Sequence, residues 1–147
     1  MFQRILVPYD GSNGAERALI KAVELAKLCG AQLTVLTVYR HHSMLEASLS
    51  MVRGAAEIGG SLDEAMRGTA RDAADYAKSH AKDAGVEKVS AFIKAGPPAR
   101  TIVAFAKEKG CDLIVLGSRG LGATEGYLLG SVSHKVTGLA TCPVMVV

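Results

Sequence analysis

The sequence predicts an α/β fold, a parallel five-stranded sheet with helices on both faces. Three observations carry that prediction. Five short apolar runs alternate with four segments of helical period along the chain. The first, fourth and last of these runs are apolar in character, as strands buried on both sides are. No internal repeat or linker-like stretch breaks the alternation, so one domain over residues 1–147 is expected. At 147 residues and 15.3 kDa, the chain has the length at which one domain buries about 70% of the surface exposed by its unfolded form.

Residues 4–9 form the first apolar run, stopped by Asp10, Gly11 and Ser12. Asn13 with Glu16 three positions later resembles a capping box and opens a helix. Ala15, Ala18, Leu19, Ala22, Val23 and Ala26 line one face of that helix, and Gly30 ends it. Residues 32–39, rich in β-branched and apolar side chains, are the second strand. A less periodic stretch over 40–61 reads as a long connection. Leu62, Ala65, Met66, Thr69, Ala73, Ala77, Ala81 and Ala84 then restore helical period up to Gly85.

Residues 88–94 set Val89, Ala91 and Ile93 against Ser90, Phe92 and Lys94, the alternation of a half-exposed edge strand. Pro97 stops it, and Pro98 suits the first turn of a helix carrying Ile102, Val103 and Ala106 inward. Residues 112–117 are the fourth strand. Residues 131–140 are a short helix with Val132, Val136 and Leu139 inward, and 143–147 are the last strand. If the first three strands wind one way and the fourth returns beside the first, the order is 3-2-1-4-5. The ligand crevice of such a sheet lies at the carboxyl ends of strands one and four. Two loops leave those ends, one at residues 8–12 and one beginning at Gly117.

Composition removes several classes of function. Seventeen basic residues against fourteen acidic ones, with no basic run of five, do not point to nucleic acid. Cys29, Cys111 and Cys142 have no CxxC spacing and are odd in number, which suits buried thiols of a cytoplasmic protein better than disulfides or zinc. The start shows no signal-peptide pattern, and no apolar run approaches the length of a membrane span. GxSxG, HExxH and a DxD-type cluster are all missing. Ser131 and His134 share a helical face, but nothing identifies a third group to orient the histidine. His41 and His42 are adjacent and point apart on any regular element.

The second loop is glycine-rich: six of the sixteen glycines fall between Gly110 and Gly130. Bare backbone there can approach a ligand closely. Gly130, Ser131, Val132 and Ser133 open the following helix, where unpaired N–H groups and the helix dipole favour an anion such as phosphate. Equally, the glycines can serve as turn residues and Ser131 as a simple cap. The loop is not GxxxxGK[ST], and Glu125 occupies the third glycine position of a dinucleotide fingerprint.

Gly117-x2-Gly120-x9-Gly130-Ser131 resembles the G-x2-G-x9-G-[ST] signature of the nucleotide-binding branch of the universal stress protein family. Ile5 to Ser12 is similar to that family's opening strand and loop, and Cys142 to Val147 to its closing strand. The resemblance implies a flavodoxin-like sheet, ATP (or AMP or ADP) with magnesium in the strand-one/strand-four cleft, and homodimers through residues 143–147, or tetramers. It places the cofactor among Pro8, Tyr9, Asp10, Gly11, Ser12, Val38, Gly117, Ser118, Arg119, Gly120, Gly130, Ser131, Val132 and Ser133. Asp10 would meet the ribose, the adenine or a nucleotide-bound magnesium ion, or else cap its own turn. Val38 would offer its backbone to adenine, or simply fill the core. Arg119 would touch phosphate or remain a solvated loop residue. Residues 40–51 resemble the corresponding stretch of a family member associated with a TRAP-type solute transporter. That implies a regulatory partner at a transporter's cytoplasmic face, with Met44, Leu45, Leu49, Met51 and Val52 as docking surface or local packing. ATP hydrolysis needs a residue that positions water, and the sequence identifies none. The expected function is therefore nucleotide-responsive regulation without fast turnover. A slow ATPase or phosphotransferase and a nucleotide-free dimeric adaptor are the alternatives.

Overall fold

The computed structural model describes residues 1–40, 56–119 and 129–147, with side chains of 56–61 excepted. Five strands, β1 (Arg4–Pro8), β2 (Gln32–Tyr39), β3 (Val89–Ala95), β4 (Leu113–Leu116) and β5 (Val144–Val146), form one sheet. Its order is β3-β2-β1-β4-β5, as expected, and every pairing is parallel. The helices are α1 (Asn13–Cys29), α2 (Ala56–Asp83), α3 (Pro98–Glu108) and α4 (Ser131–Leu139).

The period-two geometry of the strands divides the apolar residues between two layers. Ile5, Val7, Leu33, Val35, Leu113 and Val115 point to the side covered by α1 and α2. Leu6, Leu36, Ile114 and Leu116 point to the side covered by α3 and α4. Continuous apolar runs in β1 and β4 thus follow from two buried faces. On α1 the six expected inward residues are all buried, joined by Gly14.

Several details differ from the sequence expectation. Ser12, not Asn13, caps α1: its hydroxyl oxygen accepts from Ala15 N–H at 3.1 Å. Glu16 does not close a capping box, because its carboxylate accepts from the Tyr9 hydroxyl instead. The second helix begins at Ala56, inside the stretch expected to be a connection. Its buried stripe is Ala70, Ala74, Ala77 and Ala81, whereas Ala65 and Thr69 are exposed. Phase explains this. At about 100° per residue, Ala65 and Thr69 lie roughly 150° and 110° from the middle of the buried stripe and so turn to solvent.

In β3, Phe92 packs into the α3 layer instead of facing solvent. β3 is thus the half-exposed edge strand expected, with its alternation dividing partly buried side chains between the two faces of the sheet. Leu139 is 50% exposed, because Val132 and Val136 already fill the narrow inward face of the nine-residue α4. β5 is half-buried along its length, unlike β1 and β4, since it is the last strand on that side of the sheet.

Candidate functional site

β1 and β4 are neighbours, so the loops that leave their carboxyl ends meet. The first loop is held by its own side chains. Tyr9 N–H donates to Leu36 C=O (2.8 Å), and its C=O accepts from the Thr37 hydroxyl (2.8 Å). The Tyr9 ring is buried on the α1–α2 side, where its hydroxyl donates to Glu16 and its ring lies 6.2 Å from that of Tyr76. Burial, reinforced by the adjacent Glu16 carboxylate, pushes the phenol well above its ordinary value. Pro8, half-buried, ends β1 beneath this residue.

Asp10 is exposed, and its Oδ1 accepts from Ser12 N–H at 2.9 Å, an Asx turn. Gly11 has φ +82°, a left-handed conformation that a side chain would strain. The turn delivers Ser12 to the start of α1 and sets Gly14 against the second loop. A Cβ on Gly14 would lie 2.2 Å from the carbonyl oxygen of Arg119, and one on Gly117 would lie 2.5 Å from the Gly14 carbonyl carbon. Here the two loops meet backbone on backbone, leaving no room for a methyl group on either side.

The second loop is also tied to the end of β5 and to α4. Ser118 N–H donates to Val147 C=O (2.9 Å), and Ser118 C=O accepts from Gly130 N–H (2.7 Å). Ser133, buried in the first turn of α4, donates its hydroxyl to Gly117 C=O at 2.5 Å. Gly130 occupies the N-cap position with φ −61°, and no side chain caps the helix. Helix geometry leaves the first-turn N–H groups of Ser131, Val132 and Ser133 without carbonyl partners in their own helix. Ser131 is exposed, Val132 half-buried. Arg119 is half-buried beside Gly14. Val38, half-buried near the end of β2, packs against the α3–α4 layer.

Thus the fold gathers Pro8 to Ser12, Gly117, Ser118, Arg119 and Gly130 to Ser133 around one β1/β4 junction. Val38 stands apart, two strands from β4. Gly120 and residues 41–52, where a docking surface was expected, lie outside the described residues. Sequence reading did not single out Gly14, Thr37 or the Tyr9 partnership of Glu16 as parts of this site. The one local signal was a glycine inside the first turn of a helix, which suggests a close approach. Among the described residues, no three His, Cys, Asp or Glu side chains gather to hold a metal ion. No helix there is long and apolar enough to cross a membrane.

The sequence matches the universal stress protein family over residues 1–147. The chain belongs to that family. Universal stress protein YxiE of Bacillus subtilis is 39% identical over 150 residues, covering 100% of this chain and 99% of that one. Among solved structures, universal stress protein UspA from Lactobacillus plantarum superposes with a TM-score of 0.82 at 29% identity, covering 99% and 97% of the two chains. Another universal stress protein, solved in complex with cAMP, has a TM-score of 0.70 at 28% identity, covering 99% of this chain and 96% of that one. For this universal stress protein, the flavodoxin-like α/β sheet therefore rests both on its own topology and on its relatives.

Proposed function

We propose that this universal stress protein is a cytoplasmic regulatory module that binds an adenine nucleotide, ATP before AMP or ADP, at the β1/β4 junction without fast turnover. The observation that carries the reading is the first turn of α4, uncapped by any side chain and pinned by Ser133 against the bare backbone of Gly117. Three N–H groups of that turn and the positive end of the helix dipole suit phosphate oxygens. Gly130 N–H is already donated to Ser118, so the phosphates would use Ser131, Val132 and Ser133. A cAMP-bound family member supports the adenine-nucleotide class.

The residues present fit such a ligand. Asp10 would hold ribose or, through the nucleotide, a magnesium ion, from its place in the Asx turn. Magnesium would neutralise phosphate charge there, and a single carboxylate suits an ion carried in by its nucleotide. Val38, the glycines and Arg119 would complete the enclosure. In this reading the module forms homodimers through β5 and reports nucleotide occupancy to a partner. The transporter partnership is supported by the resemblance of residues 40–51 alone.

Calorimetric titration with Mg-ATP tests the reading, with Gly130→Asp beside the wild type. Aspartate is a favoured N-cap and Gly130 has negative φ, so the variant keeps α4 folded while placing a carboxylate against the phosphates. Wild-type binding that weakens at least roughly tenfold in the variant is the expected result. Equal binding by both proteins, or none at millimolar ATP, overturns the site. Steady ADP release from the wild type would replace the sensor with a slow ATPase.

A further inference from the structure

We infer that the β3 edge of the sheet, together with the groove beside it, receives an extended acidic segment of a partner protein by strand addition. Among the described residues, β3 is the outermost strand on its side. Leu33 N–H donates to Lys88 C=O and Gly96 N–H donates to Tyr39 C=O, which fixes the phase of the parallel ladder with β2. In that phase Ser90, Phe92 and Lys94 bond to β2, whereas the N–H and C=O groups of Val89, Ala91, Ile93 and Ala95 point away from the sheet. Such a row is a template for another strand.

Alongside it, Lys94, Arg100, Thr101, Ala104, Phe105 and Glu108 line an open groove of about 260 Å³. Phe105 supplies its aromatic wall: the Phe92 ring lies behind it at 5.3 Å, tilted by 56°, Lys109 lies 4.8 Å from the Phe92 ring, and Lys94 lies 6.0 Å from that of Phe105. Lys94 and Arg100 are exposed, and among the described residues neither has a carboxylate within 4.0 Å. The rim therefore offers two cations with hydrogen-bonding capacity to spare, against one acid, Glu108. A strand laid on β3 projects alternate side chains over this groove, where carboxylates would meet Lys94 and Arg100. Its other side chains extend the layer of Ala91 and Ile93, which favours aliphatic residues there.

Charge disfavours one pairing with a second copy of this chain: an antiparallel arrangement of two β3 edges centred on Ala91 sets Lys88 of each copy opposite Lys94 of the other, and like charges so placed destabilise a sheet. The two cations of the groove favour instead a peptide in which acidic and aliphatic residues alternate. The β1/β4 junction of the nucleotide reading lies two strands away, and the surfaces come together only where Val38 of that reading pairs with Lys94 across β2 and β3.

Fluorescence anisotropy with a fluorescein-labelled ten-residue peptide of alternating glutamate and valine tests it on the full chain. Two N-methylated versions accompany it, one blocked on the valine nitrogens and one on the glutamate nitrogens. Antiparallel addition bonds β3 through valine N–H groups and parallel addition through glutamate N–H groups. Saturable binding is expected, at least roughly tenfold weaker for one of the methylated peptides and for the Lys94→Glu/Arg100→Glu double variant. Both substituted residues are exposed, so the variant retains its fold. Absence of binding at millimolar peptide overturns the inference. Equal binding of all three peptides, or binding indifferent to the double substitution, overturns it too.

Discussion

At the residue scale, the junction of the two loops depends on hydrogen atoms where any other residue has carbon. Gly117 is the sharper case, because its virtual Cβ lies 2.5–2.8 Å from three backbone atoms of Gly14. Backbone on both sides cannot swing away as a side chain can. Gly117→Ala is expected to cost roughly 1–3 kcal/mol, the range of overpacked sites. Gly68 is a control of opposite sign. It lies within α2, and its Cβ would meet nothing within 4 Å. Gly68→Ala is therefore expected to stabilise by roughly 0.5–1 kcal/mol through helix propensity. Urea denaturation of the two variants measures both signs, and a neutral Gly117→Ala would show that the loops can part without cost. The thiols provide a second residue-level test. Burial raises Cys111 from 9.0 to about 11, and Cys142 moves the same way for the same reason. Below the unfolded value both states keep the proton, and the thiol's contribution is intact. As pH rises from 9.0 towards about 11, the unfolded chain ionises first and is favoured, so stability falls. The slope of unfolding free energy against pH in that window should be shallower in Cys111→Ala than in the wild type.

At the element scale, sequence carried the strands and the middle of each helix, because both are written in periodicity. The inward face of α1 was legible residue by residue. It is a single unbroken stripe facing one surface, β1 and β4. Boundaries were less legible, because they depend on particular hydrogen bonds. Ser12 and Asn13 are both good caps by type, and only the Asx turn of Asp10 decides for Ser12. Glu16 had the right spacing for a capping box, but a buried phenol nearby is the stronger claimant for its carboxylate. In α2 the expected stripe took in Ala65 and Thr69, which the turn of the helix carries off the buried face. The candidate site shows the same division. Its glycine and serine spacing was legible, whereas the approach of Gly14 to Gly117 joins residues 103 positions apart and no local pattern encodes it. Likewise the packing of Phe92 on β3 depends on the Phe105 ring, which α3 supplies from further along the chain.

At the scale of the molecule, the sheet ends in two unlike edges, and this difference assigns them different partners. The β3 edge is seven residues long and carries Lys94. The β5 edge is three residues long, apolar and half-buried, with Val144, Met145 and Val146 exposing no charge. Apolar strands without charge pair readily with copies of themselves, as the proposed dimer requires. The β4–β5 ladder fixes which groups are available. Ile114 N–H donates to Pro143 C=O and Val147 N–H donates to Leu116 C=O, so Val146 N–H points outward. Val146→Pro removes that outward donor and keeps the bond of Val147 to β4, a substitution that edge strands tolerate. Sedimentation velocity should therefore show a wild-type dimer become a monomer, with far-ultraviolet circular dichroism unchanged. Binding of the acidic peptide should persist, since β3 is untouched. If the dimer survives proline at 146, association does not run through the β5 backbone, and the exposed side chains of Ile20 and Leu28 on α1 become the surface to test.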